Sequence, residues 1–183
     1  GMITTNNKIL FEKSKSLRNL CFGKKDRFNH EDIGWNYRMT NLQASLGVSQ
    51  LKRIKSIVHK RHLVGKEYFQ RLKYNKNIYI PEVSRSYAKN IYWVIAFVIT
   101  NKNLNIDAKK LMKKLITYGI QTRPFFWPMH KQNIFKEKYK INTSGNYKNS
   151  EYISKYGLYL PSSLDIKSNQ IKFICDKVNS ILK

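Results

Sequence analysis

Apolar residues recur at helical spacing in the middle of the chain and at its C-terminal end. Thr40 and Gln43 form a capping-box pattern. The apolar positions that follow predict one long connecting helix over residues 40–75. A last helix is predicted from Ser168, because the apolar residues after it fall on one helical face. Its inward positions are expected to be Ile171, Ile174, Cys175, Val178, Ile181 and Leu182.

The N-terminal segment predicts a strand, a helix and a loop, in that order. Residues 1–5 predict the tail of a strand. Asn6 or Asn7 is then expected to cap a helix that continues to about Leu20. The residues after this helix predict a loop that runs to Met39, directly before the capping box.

From Ile78 onward the pattern changes to short strands and helices in alternation. The β-branched and aromatic run over residues 91–99 predicts a buried strand. Asp107 is expected to cap a helix that Gly119 closes, and residues 120–123 predict a second strand. The inward positions of that helix are expected to be Leu111, Met112, Leu115 and Ile116.

The charge of the chain favours a nucleic-acid partner only weakly. Its 183 residues include 35 Lys and Arg against 11 Asp and Glu, a formal net charge of +24. Lysines outnumber arginines 27 to 8 and occur in every segment, which is typical of a solvated surface rather than one binding face. A stand-alone basic nucleic-acid-binding domain remains an alternative function, and tight binding that survives physiological salt would favour it.

Composition also excludes several broad classes. The chain is 42% hydrophobic and 13% aromatic, too apolar for a disordered protein. No apolar run reaches the roughly 18 to 20 residues that span a bilayer, and the N-terminal residues show no signal-peptide pattern. Cys21 and Cys175 match no metal-binding spacing. A cytoplasmic, reducing location without a membrane partner is therefore expected.

The sequence contains no self-contained catalytic constellation. It has no glycine-rich phosphate loop, no metalloprotease motif and no serine-nucleophile motif. Its four histidines are dispersed. No catalytic residue and no metal ligand is therefore predicted.

Two other segments concentrate aromatic, amide and guanidinium groups: residues 30–44 and residues 122–130. The first lies directly before a helix N-terminus, where free N–H groups favour anions. The second offers an apolar aromatic wall, an arginine for phosphate and a histidine donor, which fits a nucleotide pocket. A flap that covers the core is an equally good interpretation of its composition.

Both segments resemble motifs of one protein family. Residues 34–47 read GWNYRMTNLQASLG and are similar to the signature G-[YW]-N-[YF]-R-[ML]-[TS]-x-[LI]-Q-A-A-[LI]-G of the DegT/DnrJ/EryC1/StrS sugar aminotransferases. Residues 117–130 read TYGIQTRPFFWPMH and resemble the small-domain loop of that family, in the form of its perosamine synthetase branch. Residues 158–162 and the last helix follow the family's order, so the resemblance covers essentially the whole chain.

The resemblance implies an α/β fold, the C-terminal part of a fold-type-I aminotransferase that depends on pyridoxal 5′-phosphate (PLP). One long helix is then joined to a small α/β domain with a short, mostly antiparallel sheet. Residues 1–39 are expected to be the trailing strand, helix and active-site loop of a large domain that is otherwise missing. Residues 40–75 form the connecting helix in this division, and residues 76–183 form the small C-terminal domain.

The function that the resemblance implies is amination of a keto sugar on a nucleotide, with glutamate as donor. The substrate is expected to be of the GDP-4-keto-6-deoxymannose type, as in lipopolysaccharide O-antigen biosynthesis. The family's active site is shared across a homodimer, and Asn36 matches the asparagine that reaches the cofactor phosphate of the neighbouring subunit. Arg38 is a second cofactor-side candidate. The substrate side is expected to comprise Trp35, Arg123, Phe126, Trp127 and His130.

The family's cofactor-binding lysine lies upstream of the first residue of this sequence, so no lysine here is assigned that role. Without this lysine covalent catalysis is lost. The 183 residues alone are therefore expected neither to bind PLP nor to transaminate. The expected partner is a second subunit or the missing N-terminal half, and a non-catalytic chain that docks on a full-length paralogue is a further alternative.

Overall fold

The structure, a computed structural model, describes residues 1–26, 28–141 and 144–183. The chain divides into two compact units, Gly1–Ile54 and Lys55–Lys183. In the described parts of the chain, no helix combines the length and the apolar character needed to cross a membrane.

The first unit begins with helix α1 (Lys8–Arg18), which Asn7 caps as predicted. The Asn7 Oδ1 atom accepts hydrogen bonds from the backbone N–H groups of Ile9 and Leu10, at 2.9 and 3.2 Å. The helix ends earlier than expected, because Leu20 and Cys21 both adopt positive φ angles of 64° and 50°.

The strand expected over residues 1–5 is absent from the described structure. A strand requires a neighbouring strand to satisfy its backbone groups. The backbone of these residues pairs with no other described segment, so they form no strand in this structure.

Helix α2 (Asn41–Lys52) begins at the predicted capping box. Thr40 Oγ1 accepts from the Gln43 backbone N–H at 3.2 Å, while Gln43 Oε1 accepts from the Thr40 backbone N–H at 3.0 Å. The helix that was expected to continue to residue 75 is interrupted at Arg53, and α3 (Ile54–Leu72) follows. The Arg53 N–H bonds Gln50 three residues back at 3.0 Å, which replaces the regular four-residue step.

The second unit contains a four-stranded antiparallel sheet and a separate hairpin. The strands are β1 (Ile78–Tyr79), β2 (Ser84–Arg85), β3 (Ala88–Lys89), β4 (Ile95–Ile99), β5 (Arg123–Pro124) and β6 (Gly157–Leu160). The sheet has the strand order β1-β4-β6-β5, and the hairpin pairs β2 with β3. The expected α/β class with a short antiparallel sheet is confirmed.

Both strands expected in this unit are shorter or shifted. The run 91–99 forms a strand only as β4, because Tyr92 has a φ of 51° and its N–H bonds Asn90 Oδ1 at 2.8 Å. Tyr92 thereby leaves the sheet and its ring packs on Gly65 of α3. The strand expected over 120–123 is β5 instead, because the N–H of Ile120 bonds the Leu115 carbonyl and still belongs to a helix end.

Four α-helices complete the described part of the second unit, and two of them cover the core. Asp107 caps its helix through the Lys110 N–H at 2.8 Å, and Gly119 has a φ of 74°, both as predicted. Ile116 was expected to point inward, but it is 55% exposed, so that prediction was wrong. The helices are α4 (Ala108–Ile116), α5 (Asn133–Glu137), α6 (Lys148–Tyr156) and α7 (Ser168–Ile181).

The core lies where α3, α4 and α7 meet the sheet. The inward positions predicted for the last helix are buried, except Ile181, which is half-buried. Cys175 is fully buried, and burial raises the pKa of its thiol to about 12, so it packs as an inert apolar group. The largest buried side chains include Tyr68, Leu72, Phe97, Ile99, Leu111, Leu115, Leu158 and Ile171.

Candidate functional site

The segment Gly34–Thr40 of the first unit, here called the NYRM loop, is fixed by backbone hydrogen bonds to the end of α1. The Trp35 N–H donates to the Leu17 carbonyl at 2.8 Å, and the Tyr37 N–H donates to the Arg18 carbonyl at 3.0 Å. The Leu20 N–H donates back to the Trp35 carbonyl at 3.1 Å. These bonds make the loop extended and hold it in register, although it belongs to no sheet.

Gly34 allows the close approach that these hydrogen bonds require. A Cβ atom placed there would lie 2.7 Å from the Cys21 backbone nitrogen and 2.8 Å from its Sγ atom. Two of the three nearest atoms belong to the backbone, so a side chain at Gly34 would push the two segments apart. Cys21 itself is buried in this contact.

Because the NYRM loop is extended, its side chains alternate between two sides. The rings of Trp35 and Tyr37 stack with centroids 6.1 Å apart and planes at 6°. On the other side of the loop, at positions 36 and 38, Arg38 Nε donates to Asn36 Oδ1 at 3.2 Å. The Asn36 amide oxygen is thereby occupied, while its amide nitrogen and the terminal nitrogens of Arg38 make no hydrogen bond to any described residue. Asn36 and Arg38 therefore present a pair of exposed N–H donors.

The segment Arg123–His130 of the second unit, here called the aromatic loop, starts on edge strand β5. Arg123 pairs with Tyr159 of β6 through the backbone, and its exposed guanidinium has no hydrogen-bond or ion-pair partner among the described residues. The next two aromatic rings pack on one side chain, since Phe125 stacks on Tyr159 at 4.8 Å and Phe126 meets it edge-on at 6.3 Å.

The outer part of the aromatic loop exposes two large rings. Phe126 is 74% and Trp127 is 57% exposed. The Trp127 Nε1–H group donates to the Lys131 carbonyl at 2.9 Å, which fixes the direction of the indole. Pro128 is buried, so the loop is anchored while the Phe126 and Trp127 rings remain accessible.

His130 is held by residues that sequence reasoning missed. Its Nε2–H donates to Glu151 Oε1 at 3.0 Å, and its ring stacks on Tyr147 with centroids 4.4 Å apart. Lys131 Nζ lies 3.0 Å from the other carboxylate oxygen of Glu151. Hydrogen bonds from His130 and Lys131 lower the pKa of Glu151, which stays ionised. The sequence carries no signal for this cluster, because 21 residues separate His130 from Glu151.

The structure thus brings the predicted residues together in two groups. Trp35, Asn36 and Arg38 lie on the NYRM loop of the first unit, and the other four lie on the aromatic loop of the second unit. The described residues contain no group of three or more His, Cys, Asp or Glu side chains placed to hold a metal ion.

Comparison with known proteins bears on both groups. The model of the DegT/DnrJ/EryC1/StrS aminotransferase family matches residues 1–179. GDP-perosamine synthase of Caulobacter vibrioides is 29% identical over 183 residues, with all of this chain and 48% of that protein covered. GDP-perosamine synthase of Escherichia coli O157:H7 is 25% identical, with 98% and 46% covered. The chain spans about half the length of the curated relatives it matches.

Solved structures show the same fold. Helicobacter pylori PseC, an aminotransferase involved in the biosynthesis of pseudoaminic acid, superposes with a TM-score of 0.84 at 22% identity, covering 97% of this chain and 47% of that one. DesV of S. venezuelae superposes with a TM-score of 0.81 at 20% identity, with 98% and 46% covered. The expectation of a C-terminal portion of a fold-type-I enzyme agrees with this coverage. With its whole length but the last four residues matched by the family model, the chain belongs to the DegT/DnrJ/EryC1/StrS aminotransferase family.

Proposed function

We propose that this chain forms the C-terminal half of a PLP-dependent aminotransferase that aminates a keto sugar on a nucleotide. The substrate is of the GDP-4-keto-6-deoxymannose type, and glutamate supplies the amino group. The names of the relatives, GDP-perosamine synthases among them, support a nucleotide-sugar substrate. The observation that carries the proposal is the exposed Asn36–Arg38 donor pair on the NYRM loop.

The residues of the NYRM loop fit one part of PLP, its phosphate. A phosphate group accepts hydrogen bonds, and both Asn36 and Arg38 offer donors that no described residue occupies. Among the described residues no polar or charged side chain is buried, so none provides the desolvated carboxylate that would face the ring nitrogen. The groups that hold the ring are therefore expected outside this chain.

In the complete enzyme, Asn36 and Arg38 hold the cofactor phosphate of the neighbouring subunit in a homodimer. PLP, when bound, would carry the amino group from donor to acceptor on its aldehyde carbon, and its ring would withdraw electrons during the transfer. Trp35 shapes the loop through its stack on Tyr37. Each of these residues orients the cofactor and takes no part in proton transfer.

The aromatic loop binds the nucleotide sugar in this proposal. Arg123 presents a planar fork of donors to the diphosphate, a geometry that lysine does not reproduce. Phe126 and Trp127 form the apolar wall. Glu151 keeps His130 in one orientation with Nε2 committed to the carboxylate, so Nδ1 is the ring atom left to accept a hydrogen bond from a sugar hydroxyl.

The first experiment uses the 183 residues alone. The chain is incubated with PLP, reduced with borohydride and digested for peptide mapping. We expect no stoichiometric labelling of any one lysine, because the resemblance places the cofactor-binding lysine outside this sequence. Full labelling at a single lysine would contradict the proposed division of the active site.

The second experiment joins the chain to the remaining half of a GDP-perosamine synthase. We expect glutamate-dependent amination of a GDP-linked keto sugar by the joined protein. A joined protein that binds PLP and folds, yet aminates no nucleotide-linked keto sugar, would contradict the proposed function and favour a non-catalytic docking chain.

A further inference from the structure

The second unit contains a cavity of about 410 Å³ that the proposed function does not use. It lies between the end of α4, the segment after β6 and the first turns of α7. This volume falls within the range of about 300 to 1,000 Å³ that small-molecule sites occupy. Its lining residues are Tyr118, Gly119, Ile120, Pro161, Ile166, Asn169, Gln170, Phe173 and Ile174.

This cavity and the aromatic loop lie at opposite ends of the β5–β6 pair. Arg123 is paired with Tyr159 and Pro124 with Leu158, so the chain before β5 runs towards Pro161. At the other end, the Phe125 N–H donates to the Gly157 carbonyl at 3.2 Å, and the aromatic loop begins there. The cavity is therefore a separate site and not an extension of the proposed substrate loop.

Two aromatic rings, Tyr118 and Phe173, line the cavity, and the ammonium group of Lys177, which is not itself a lining group, lies against both of them. Lys177 Nζ lies 4.3 Å from the ring centroid of Tyr118 and 5.4 Å from that of Phe173. Both rings are about half exposed. The adjacent carboxylate, Asp176, pairs with Lys172 at 2.8 Å, and no described carboxylate pairs with Lys177. The Lys177 charge is thus held in place without a counter-ion.

The polar lining residues offer donors rather than acceptors. Asn169 Oδ1 accepts from the Gln170 N–H at 2.9 Å, and Gln170 Oε1 accepts from the Lys167 N–H at 2.9 Å. Both side-chain oxygens are therefore occupied. The amide nitrogens of Asn169 and Gln170 make no hydrogen bond to the described residues, so they remain available as donors.

The geometry points to a second binding site, for a small ligand that combines a planar ring with an anionic group. The ring lies against Tyr118 and Phe173, while Lys177 and the two carboxamides bind the anion. This chemistry is shared by purine nucleotides and by aromatic acids. The inference stands on the cavity alone and does not depend on the proposed aminotransferase activity.

The test titrates the full 183-residue chain with GMP at about physiological ionic strength. Calorimetry measures affinity, and backbone-amide NMR shifts locate the ligand. We expect shifts centred on residues 118–120 and 169–177. Guanosine, which lacks the anion, and ribose 5-phosphate, which lacks the ring, are each expected to bind about tenfold more weakly or worse.

Two matched variants separate this site from general electrostatic binding. Lys177→Met is expected to weaken GMP binding about tenfold or more, whereas Lys172→Met on the same helix removes an equal charge and changes it less than about twofold. Equal weakening by both variants, or ribose 5-phosphate binding as tightly as GMP, would overturn the inference. GMP binding that Phe126→Ala abolishes would also overturn it, because the ligand would then occupy the aromatic loop.

A second arm of the titration tests an aromatic acid in place of GMP. Indole-3-acetate binding at the same residues, with GMP binding more weakly, would keep the site and assign it to aromatic acids. If neither GMP nor indole-3-acetate shifts the backbone-amide signals of residues 118–120, the inference is overturned for both classes of ligand.

Discussion

Glu151 holds His130 in place across a gap of 21 residues, with its Oε1 atom 3.0 Å from His130 Nε2. The carboxylate also pairs with Lys131, so one acidic residue of α6 fixes two successive residues that follow the aromatic rings. Because a carboxylate only accepts hydrogen bonds, His130 carries its proton on Nε2. The orientation of the imidazole in the candidate site is thereby determined by a residue outside the loop.

The Glu151 pair predicts a pH-dependent contribution to stability. The pKa of the Glu151 carboxyl is lowered in the folded protein from its ordinary value of 4.5. The stabilisation is therefore present above pH 4.5 and disappears as the pH falls through the pKa that Glu151 has in the folded protein. We expect Glu151→Gln to lower the free energy of unfolding at about pH 7, and the difference from wild type to vanish at about pH 2. Denaturant unfolding at both pH values measures this. Glu137→Gln, an exposed residue of α5, is the control, and an equal effect of both variants would contradict the assignment.

The close packing of the Tyr92 ring on Gly65 predicts that a side chain at Gly65 destabilises the protein. A Cβ atom at Gly65 would overlap the Tyr92 ring, so Gly65→Ala should cost about 1 to 3 kcal/mol of unfolding free energy despite the better helix propensity of alanine. Gly47 lies inside α2 with nothing within 4 Å of such an atom, which makes Gly47→Ala the matched control. That change should be neutral or stabilising by up to about 1 kcal/mol. The packing explanation is wrong if denaturant unfolding shows that both variants gain stability.

Gly34 predicts a change in thiol exposure. Gly34→Ala would separate the NYRM loop from Cys21, whose Sγ atom is 2.8 Å from the added Cβ position. Wild-type protein should react slowly with a thiol reagent, since Cys21 and Cys175 are both buried. In Gly34→Ala one thiol should react at least about tenfold faster, because the reaction requires local access. The double variant Gly34→Ala/Cys21→Ser identifies the thiol that reacts. If the fast reaction persists in the double variant, the newly exposed thiol is not Cys21 and the prediction is contradicted.

Helix α2 predicts self-association of the isolated chain. It buries no residue within its unit, and Leu42 and Leu46 are 75% and 65% exposed. Uncovered apolar surface of this kind drives association at about 25 cal/mol per Å² buried. Light scattering should give a mass above one chain that rises with salt, because salt screens the repulsion of the +24 charge.

The double variant Leu42→Gln/Leu46→Gln should shift the chain towards monomer. Tyr87→Gln, which replaces a large side chain of the second unit that is 83% exposed, should have little effect. If the wild-type chain stays monomeric at every salt concentration, the exposed apolar residues of α2 do not drive association and the prediction is wrong.

Local sequence signals predicted the starts of α1, α2 and α4 correctly. The caps at Asn7, Thr40 and Asp107 depend on side chains two or three residues from the N–H groups they satisfy, so they are visible in the sequence. The apolar face of α7 was equally visible, because five of its six expected inward positions are buried. Local composition singled out the two candidate segments, and the family resemblance then supplied the expected roles of their residues.

The errors occurred where tertiary contacts override local preference. Tyr92 belongs to a β-prone run, but its ring packs on Gly65, and the strand begins only at Ile95. The long helix is interrupted at Arg53, where no proline or glycine indicates a break in the sequence. Glu151 and the cavity beside Lys177 combine residues from distant parts of the chain, so neither was predictable from spacing.

The central claim is that the NYRM loop serves the cofactor while the aromatic loop serves the nucleotide sugar. The most direct test measures both affinities in one reconstructed enzyme, this chain joined to the remaining half of a GDP-perosamine synthase. Arg123→Lys should weaken nucleotide-sugar binding by about 1.5 to 3 kcal/mol and leave PLP retention unchanged. Asn36→Ala should reduce PLP retention. The claim is contradicted if Arg123→Lys binds the nucleotide sugar normally but melts earlier, or if each variant loses both ligands equally.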